Sequence, residues 1–188
     1  MDESLGESLA NKMLACCAFV SGILHRGGKD TYVMKVLFLW VGKTKSAPIR
    51  SLLDDYIGRV SKFAPVTVTV SREGADSNRD PIRCMEMEGE QLLAKIRPDD
   101  LVVVLDSGGR QMTSGELANF IDSKMQAGVK QITFVVGGHA GVHSSVKERA
   151  NLELSLGPMT LTHEMARVLL VEQVYRAFTI IRNLPYQR

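Results

Sequence analysis

LVVVLDSGGR (Leu101–Arg110) is the stretch that decides how this chain folds. Apolar β-forming residues stand in an unbroken row from Leu101 to Leu105, with no polar alternation. A strand of that kind is buried on both faces, and such strands belong to parallel sheets covered by helices. Asp106 closes the run and Ser107–Gly109 breaks the chain. Downstream, Thr113 and Glu116 have the spacing of a capping box, which opens a helix to about Ala127. ITFVV (Ile132–Val136) is a second buried strand and runs straight into Gly137-Gly138. A short helix over 144–150, a strand over Leu152–Leu156, the loop GPMTLTH (Gly157–His163) and a long helix over Glu164–Ile181 follow. Upstream, KVLFLWV (Lys35–Val41) reads as a buried strand. A helix over 49–63 carries Leu52, Leu53, Tyr56, Ile57 and Val60 at helical spacing. VTVTV (Val66–Val70) alternates as a strand, Arg72–Pro81 is a polar loop, and Ile82–Ile96 is helical. Strands separated by helices predict an α/β fold, a mostly parallel sheet with helices on both faces.

The chain has 188 residues, 45% hydrophobic and 23% charged, which suits one domain with an appendage. A formal net charge of +2 permits a nucleic-acid partner without announcing one, since bulk charge does not report a local basic patch. Residues 1–33 read as an extension outside the fold, and 34–188 as the domain, because Met34 opens a clean strand. The apolar stretch Leu14–Val20 is too short to span a bilayer, so no membrane partner is expected. MDESLGESLANK ahead of it is acidic where a secretion signal would be basic. Cys16, Cys17 and Cys84 have no metal-ligand spacing, so no metal is expected and the thiols suit a reducing compartment. Cytoplasm fits best, with an organelle as the alternative if the extension is a targeting segment.

In an open parallel sheet, ligands bind beyond the carboxyl ends of the strands. Here those ends carry Asp106-Ser-Gly-Gly, Gly137-Gly138-His-Ala-Gly141 and Gly157-Pro-Met-Thr, glycines that let backbone approach a ligand closely. Turn glycines needed only to exit a strand are the plainer reading of any one of them. G-x-G-x-x-G, the phosphate-binding G-x-x-x-x-G-K-[ST], G-x-S-x-G and His-Glu-x-x-His are all missing, which takes weight from an ATPase, a hydrolase of the common kinds and a zinc enzyme. His139 and His143 read as solvated or capping residues, whereas His163 opens the long helix beside the third glycine loop. That helix is apolar on nearly every side and must be buried all round, by its own sheet and, in an oligomer, by a second subunit as well. Arg167, Glu172, Arg176 and Arg182 are therefore costly to place; Glu172 and Arg176 can pair at i,i+4, or the arginines can meet phosphate. The tail NLPYQR adds Tyr186 and Arg188, an aromatic and a cation suited to stacking and phosphate contact.

The stretch Phe134–Arg188, above all MTLTHEMARVLLVEQVYRAFTI, resembles the RlmH family, and MKVLFLWVGKTK, EGEQLLAKI and VVVLDSGGR extend the resemblance over residues 34–188. These are large-subunit ribosomal RNA methyltransferases of the SPOUT superfamily that act on N3 of a pseudouridine. The resemblance implies a C-terminal trefoil knot, a homodimer whose active site draws on both subunits, S-adenosylmethionine as cofactor, and ribosomal RNA, in the assembled ribosome, as partner. Carried over, the cofactor loops are Leu105, Gly137 with Gly138, and Leu156-Gly157-Pro158-Met159-Thr160-Leu161. Tyr186 and His163 are the expected positioning and catalytic residues, with Arg176, Arg182 and Arg188 on RNA. The family's tail carries a Tyr-His pair where this chain has Tyr186-Gln187. Glutamine hydrogen-bonds a base but is no general base near neutral pH. Alternatives are a SPOUT enzyme acting on another rRNA or tRNA base, a ribosome-binding relative with weakened activity, and a small-molecule nucleotide-binding protein.

Overall fold

The computed structural model describes residues 34–74 and 80–186. Cys16, Cys17, His25, Gln187 and Arg188 lie outside the described residues. In chain order the elements are β1 (Lys35–Val41), α1 (Ala47–Val60), β2 (Val66–Ser71), α2 (Pro81–Leu93), β3 (Leu101–Gln111), α3 (Ser114–Gln126), β4 (Gln131–Val136), α4 (Ser144–Arg149), β5 (Leu152–Ser155) and α5 (His163–Ile181). The strands form one five-stranded sheet in the order β2-β1-β4-β3-β5, and every pairing is parallel. This is the α/β class expected, with the unbroken apolar strands β1 and β4 inside the sheet.

Side chains alternate across a strand, so each strand feeds two cores. Val36, Phe38 and Trp40 of β1 join Phe134 and Val136 of β4 under α1, α3 and α5. Leu37, Leu39, Val41, Val102, Val104 and Val135 face the other way, toward Leu92 of α2 and Val146 of α4. On the first face α5 packs against both α1 and α3, which is why an almost wholly apolar helix can be satisfied there. Capping follows the local sequence. Thr113 and Glu116 form the reciprocal box at α3, and Asp80 accepts from the Arg83 amide at α2.

Two local readings change. The break expected at Ser107–Gly109 is a continuation of β3: Leu154 of β5 pairs with Leu105 and again with Arg110, and the residues between bulge out. Gly109 makes this possible, because a Cβ there would lie 2.7 Å from the carbonyl carbon of Glu153. On β2, Val68 and Val70 are exposed at 37% and 42%, although alternation alone would bury the valine face. β2 is one of the two edge strands, where neither face is fully covered.

Candidate active site

Because all strands run the same way, Val41, Leu105, Val136 and Ser155 bring their carboxyl ends to one edge of the sheet. There Leu105 is half-buried and Gly137 buried. Gly137 lies so close to the returning chain that a Cβ would sit 2.3 Å from the Gly141 carbonyl oxygen. The loop Gly138–Gly141 is pinned by a bridge across its ends and by the Gly141 amide donating to the Gly138 oxygen at 3.2 Å. His143 then caps α4, its Nδ1 accepting from the Ser145 amide, which matches the capping role expected of it; His139 is exposed.

The third loop leaves β5 at Ser155, whose Oγ donates to the Gly157 oxygen at 3.1 Å. Gly157 has φ +144°, a conformation that side chains disfavour. Leu156, Gly157 and Leu161 are half-buried, while Pro158, Met159 and Thr160 are exposed. The loop ends at Thr162, the cap of α5, and His163 is the first helical residue rather than the cap. Burial, and then the charge of Arg167, lowers the His163 pKa below its ordinary value and favours the neutral imidazole.

The first turn of α5 also clasps the loop after β1. Glu164 accepts from the amides of Lys45 at 2.5 Å and Ser46 at 3.4 Å, contacts that hold its pKa below the usual carboxylate range. Arg167, fully buried, donates to Thr44 Oγ1 at 3.0 Å and to the Val41 carbonyl, and lies over the Trp40 ring. Its Nε has no partner among the described residues. Burial pulls the guanidinium below its ordinary pKa, opposed by the charges of Glu164 and Glu73.

Tyr186 belongs to a different cluster. Its hydroxyl donates to Glu172 Oε1 at 3.2 Å and lies 3.4 Å from the Tyr56 hydroxyl. Arg176 stands 4.7 Å from its ring centre and forks onto Glu172 Oε1 through Nε at 3.0 Å and Nη2 at 2.7 Å. Burial first, then the contacts with Tyr56 and Glu172, push the phenol well above its ordinary pKa, so Tyr186 keeps its proton. Glu172 and His163 stand at opposite parts of α5, about 13 Å apart along its axis at 1.5 Å per residue. Within one chain, His163 and Tyr186 are therefore not brought together. Arg182, at the carboxyl cap of α5, is exposed.

Two features of this edge escaped the sequence reading. Asp106, at the bulge of β3, is paired with Lys147 of α4 at 2.5 Å and accepts from the Gly108 amide at 2.9 Å. Burial pushes its pKa up, but Lys147 and the amide outweigh this and hold it below the usual range. A depressed carboxylate pKa adds stability above the unfolded value of about 3.9, lost as pH falls through the folded value. Lys147→Gln is expected to cost about 1 kcal/mol at pH 7 and almost nothing near pH 2, read from urea midpoints at the two pH values. Glu88 is the second: only 3% exposed, it faces Gly138 from α2. Cys84, Glu88 and Leu92 stand at i, i+4 and i+8 on the buried stripe of α2, a periodicity that could have found it. Among the described residues, no group of three or more His, Cys, Asp or Glu is arranged to hold a metal. No helix among them is long and apolar enough to cross a membrane.

A parallel sheet whose carboxyl edge carries two glycine-rich loops and the glycine bulge of β3 is an α/β protein with the edge at which such folds bind ligands, and comparison specifies the family. The family described as "Predicted SPOUT methyltransferase" matches residues 34–187, and the chain belongs to this family of methyl-transferring enzymes. Two curated relatives bear the name Ribosomal RNA large subunit methyltransferase H. The one from Carboxydothermus hydrogenoformans is 39% identical over 159 residues, 82% of this chain and 100% of the relative. The one from Geobacter sulfurreducens is 39% identical over 154 residues, 81% of this chain and 99% of the relative. Among solved structures, a probable methyltransferase from Bordetella pertussis Tohama I superposes with a TM-score of 0.47 at 14% identity, covering 77% of this chain and 96% of that one.

Proposed function

We propose that this enzyme transfers the methyl group of S-adenosylmethionine to N3 of a pseudouridine in large-subunit ribosomal RNA. The observation that carries the reading is the cradle at Gly137, where a single added Cβ would collide with the returning loop, inside the segment shared with the family. Such a surface offers backbone N–H and C=O groups to an adenosine, and the apolar Leu105, Leu156 and Leu161 suit its base. The bound cofactor supplies an electrophilic methyl on a sulfonium. The chain's part is to align the acceptor nitrogen and help remove a weakly acidic imide proton. His163, with its lowered pKa, suits a proton acceptor, and Tyr186, which keeps its proton, suits positioning of the base.

Their separation along α5 favours a homodimer in which His163 of one protomer meets Tyr186 of the other. The trefoil knot rests on membership of the SPOUT family. Arg182 and Arg188 suit RNA phosphates, whereas Arg176 serves first as the partner of Glu172. Residues 1–33 are read as an extension outside the catalytic domain, and a bacterial cytoplasm fits an enzyme whose target is the assembled ribosome.

The test is transfer of labelled methyl to ribosomes lacking the modification, with mass spectrometry of the rRNA, for the parent chain and Gln187→His. Transfer by both, to pseudouridine N3, is the expected result and removes the tail histidine from the mechanism. Transfer by the variant alone would make this chain a weakened, ribosome-binding relative; methylation of another base by the parent would overturn the substrate.

A further inference from the structure

Among the described residues, a buried carboxyl group on the wall of the Gly137–Gly141 loop has no cationic neighbour to balance it. Glu88 projects from α2, is 3% exposed, and is not part of any ion pair within 4.0 Å among the described residues. Its Oε1 accepts from the Gly74 amide at 2.9 Å and from the Cys84 thiol at 3.4 Å, both neutral donors. Its Oε2 takes no hydrogen bond among the described residues and points at Gly138, 3.0 Å from where a Cβ on that glycine would lie. Gly138 and Val41 complete this wall at the carboxyl edge of the sheet. A carboxyl oxygen left without a protein partner at the rim of a ligand site is best satisfied by a cationic donor that arrives with the ligand.

We infer that Glu88 receives, through Oε2 beside Gly138, the α-ammonium of the methyl donor's amino-acid moiety. The inference rests on the reading of this edge as the cofactor site. It makes α2 part of that site, a helix that neither of the two glycine loops contains. Gly138 is required because any side chain there would fill the space between the carboxylate and the ligand.

The experiment is isothermal calorimetry of the full chain with three probes. S-adenosylmethionine and S-adenosylhomocysteine both carry the ammonium, whereas 5′-methylthioadenosine lacks the amino-acid part. Glu88→Gln keeps an oxygen for Gly74 and Cys84 but removes the charge. It is expected to weaken the first two probes about tenfold, the scale of one charge-assisted hydrogen bond, and to leave methylthioadenosine within about twofold. Glu88→Asp, which retains charge, recovers part of the loss. Methylthioadenosine binding also reports that the variants are folded. Equal weakening of all three probes in a variant with the parent's melting temperature would assign Glu88 to the loop alone and overturn the inference, as would no weakening at all. Failure of the parent chain to bind any of the three would instead overturn the cofactor reading beneath it.

Discussion

Gly137→Ala is expected to raise the dissociation constant for S-adenosylhomocysteine about 100-fold. A Cβ at position 137 would lie 2.3 Å from the Gly141 oxygen, 2.7 Å from the Gly141 carbon and 2.7 Å from Val142 Cγ2. The first two are backbone atoms of a turn already closed by the Gly138–Gly141 bridge, so no side chain can swing aside to relieve the clash. The loop must move instead, and it is the loop that would hold the cofactor. Overpacking of this kind costs about 1–3 kcal/mol in stability, so the variant remains folded while its binding surface shifts. Gly128→Ala is the control: Gly128 has φ +77° at the end of α3, with nothing within 4 Å of the added carbon. It should lose about 1 kcal/mol through backbone strain and bind as the parent does. Calorimetry of both variants checks the prediction, which fails if Gly137→Ala binds within twofold of the parent.

Arg167→Ala is expected to carry the largest loss of stability, about 3–5 kcal/mol. The guanidinium is fully buried, and its removal strips donors from Thr44 Oγ1 and the Val41 carbonyl and uncovers the face of Trp40. Polar groups left buried without partners and a cavity beside an indole both act in the same direction. For a domain of this size that loss corresponds to a fall in melting temperature of about 10 °C. Arg167→Met separates the two contributions. Methionine refills most of the volume but donates no hydrogen bond, so it should recover the packing share and leave the polar share lost. Denaturant midpoints for the three proteins decide the matter, and a loss below about 1 kcal/mol in Arg167→Ala would remove Arg167 from its place as the clasp between β1 and α5.

The resemblance over 34–188 pointed to the same loops that periodicity and glycine placement had already marked, Leu105, Gly137 and Leu156–Leu161. Those signals are local. A buried parallel strand is an unbroken apolar run, and the residues that let the chain leave it must be small. His143 as a cap and the Thr113–Glu116 box were legible for the same reason, since a capping contact spans only a few residues. Glu88 was harder, because a carboxylate on an apolar stripe reads as solvated until the opposite wall is known. The partition of His163 and Tyr186 into separate clusters was not legible either, since it depends on how the tail folds back along α5 toward Tyr56.

By itself the sequence determined the order of strands and helices, the two-sided burial of Leu101–Val104 and Ile132–Val136, and the two glycine-bearing exits after β4 and β5, because each is written in contacts between neighbours along the chain. Tertiary structure decided the rest. It set the β2-β1-β4-β3-β5 order, carried β3 past Gly109 to pair twice with Leu154, buried Arg167 against Val41 and Thr44, and turned Glu88 toward Gly138. These join residues far apart in the chain, and their energies exist only once the sheet has assembled and water has been excluded from both of its faces.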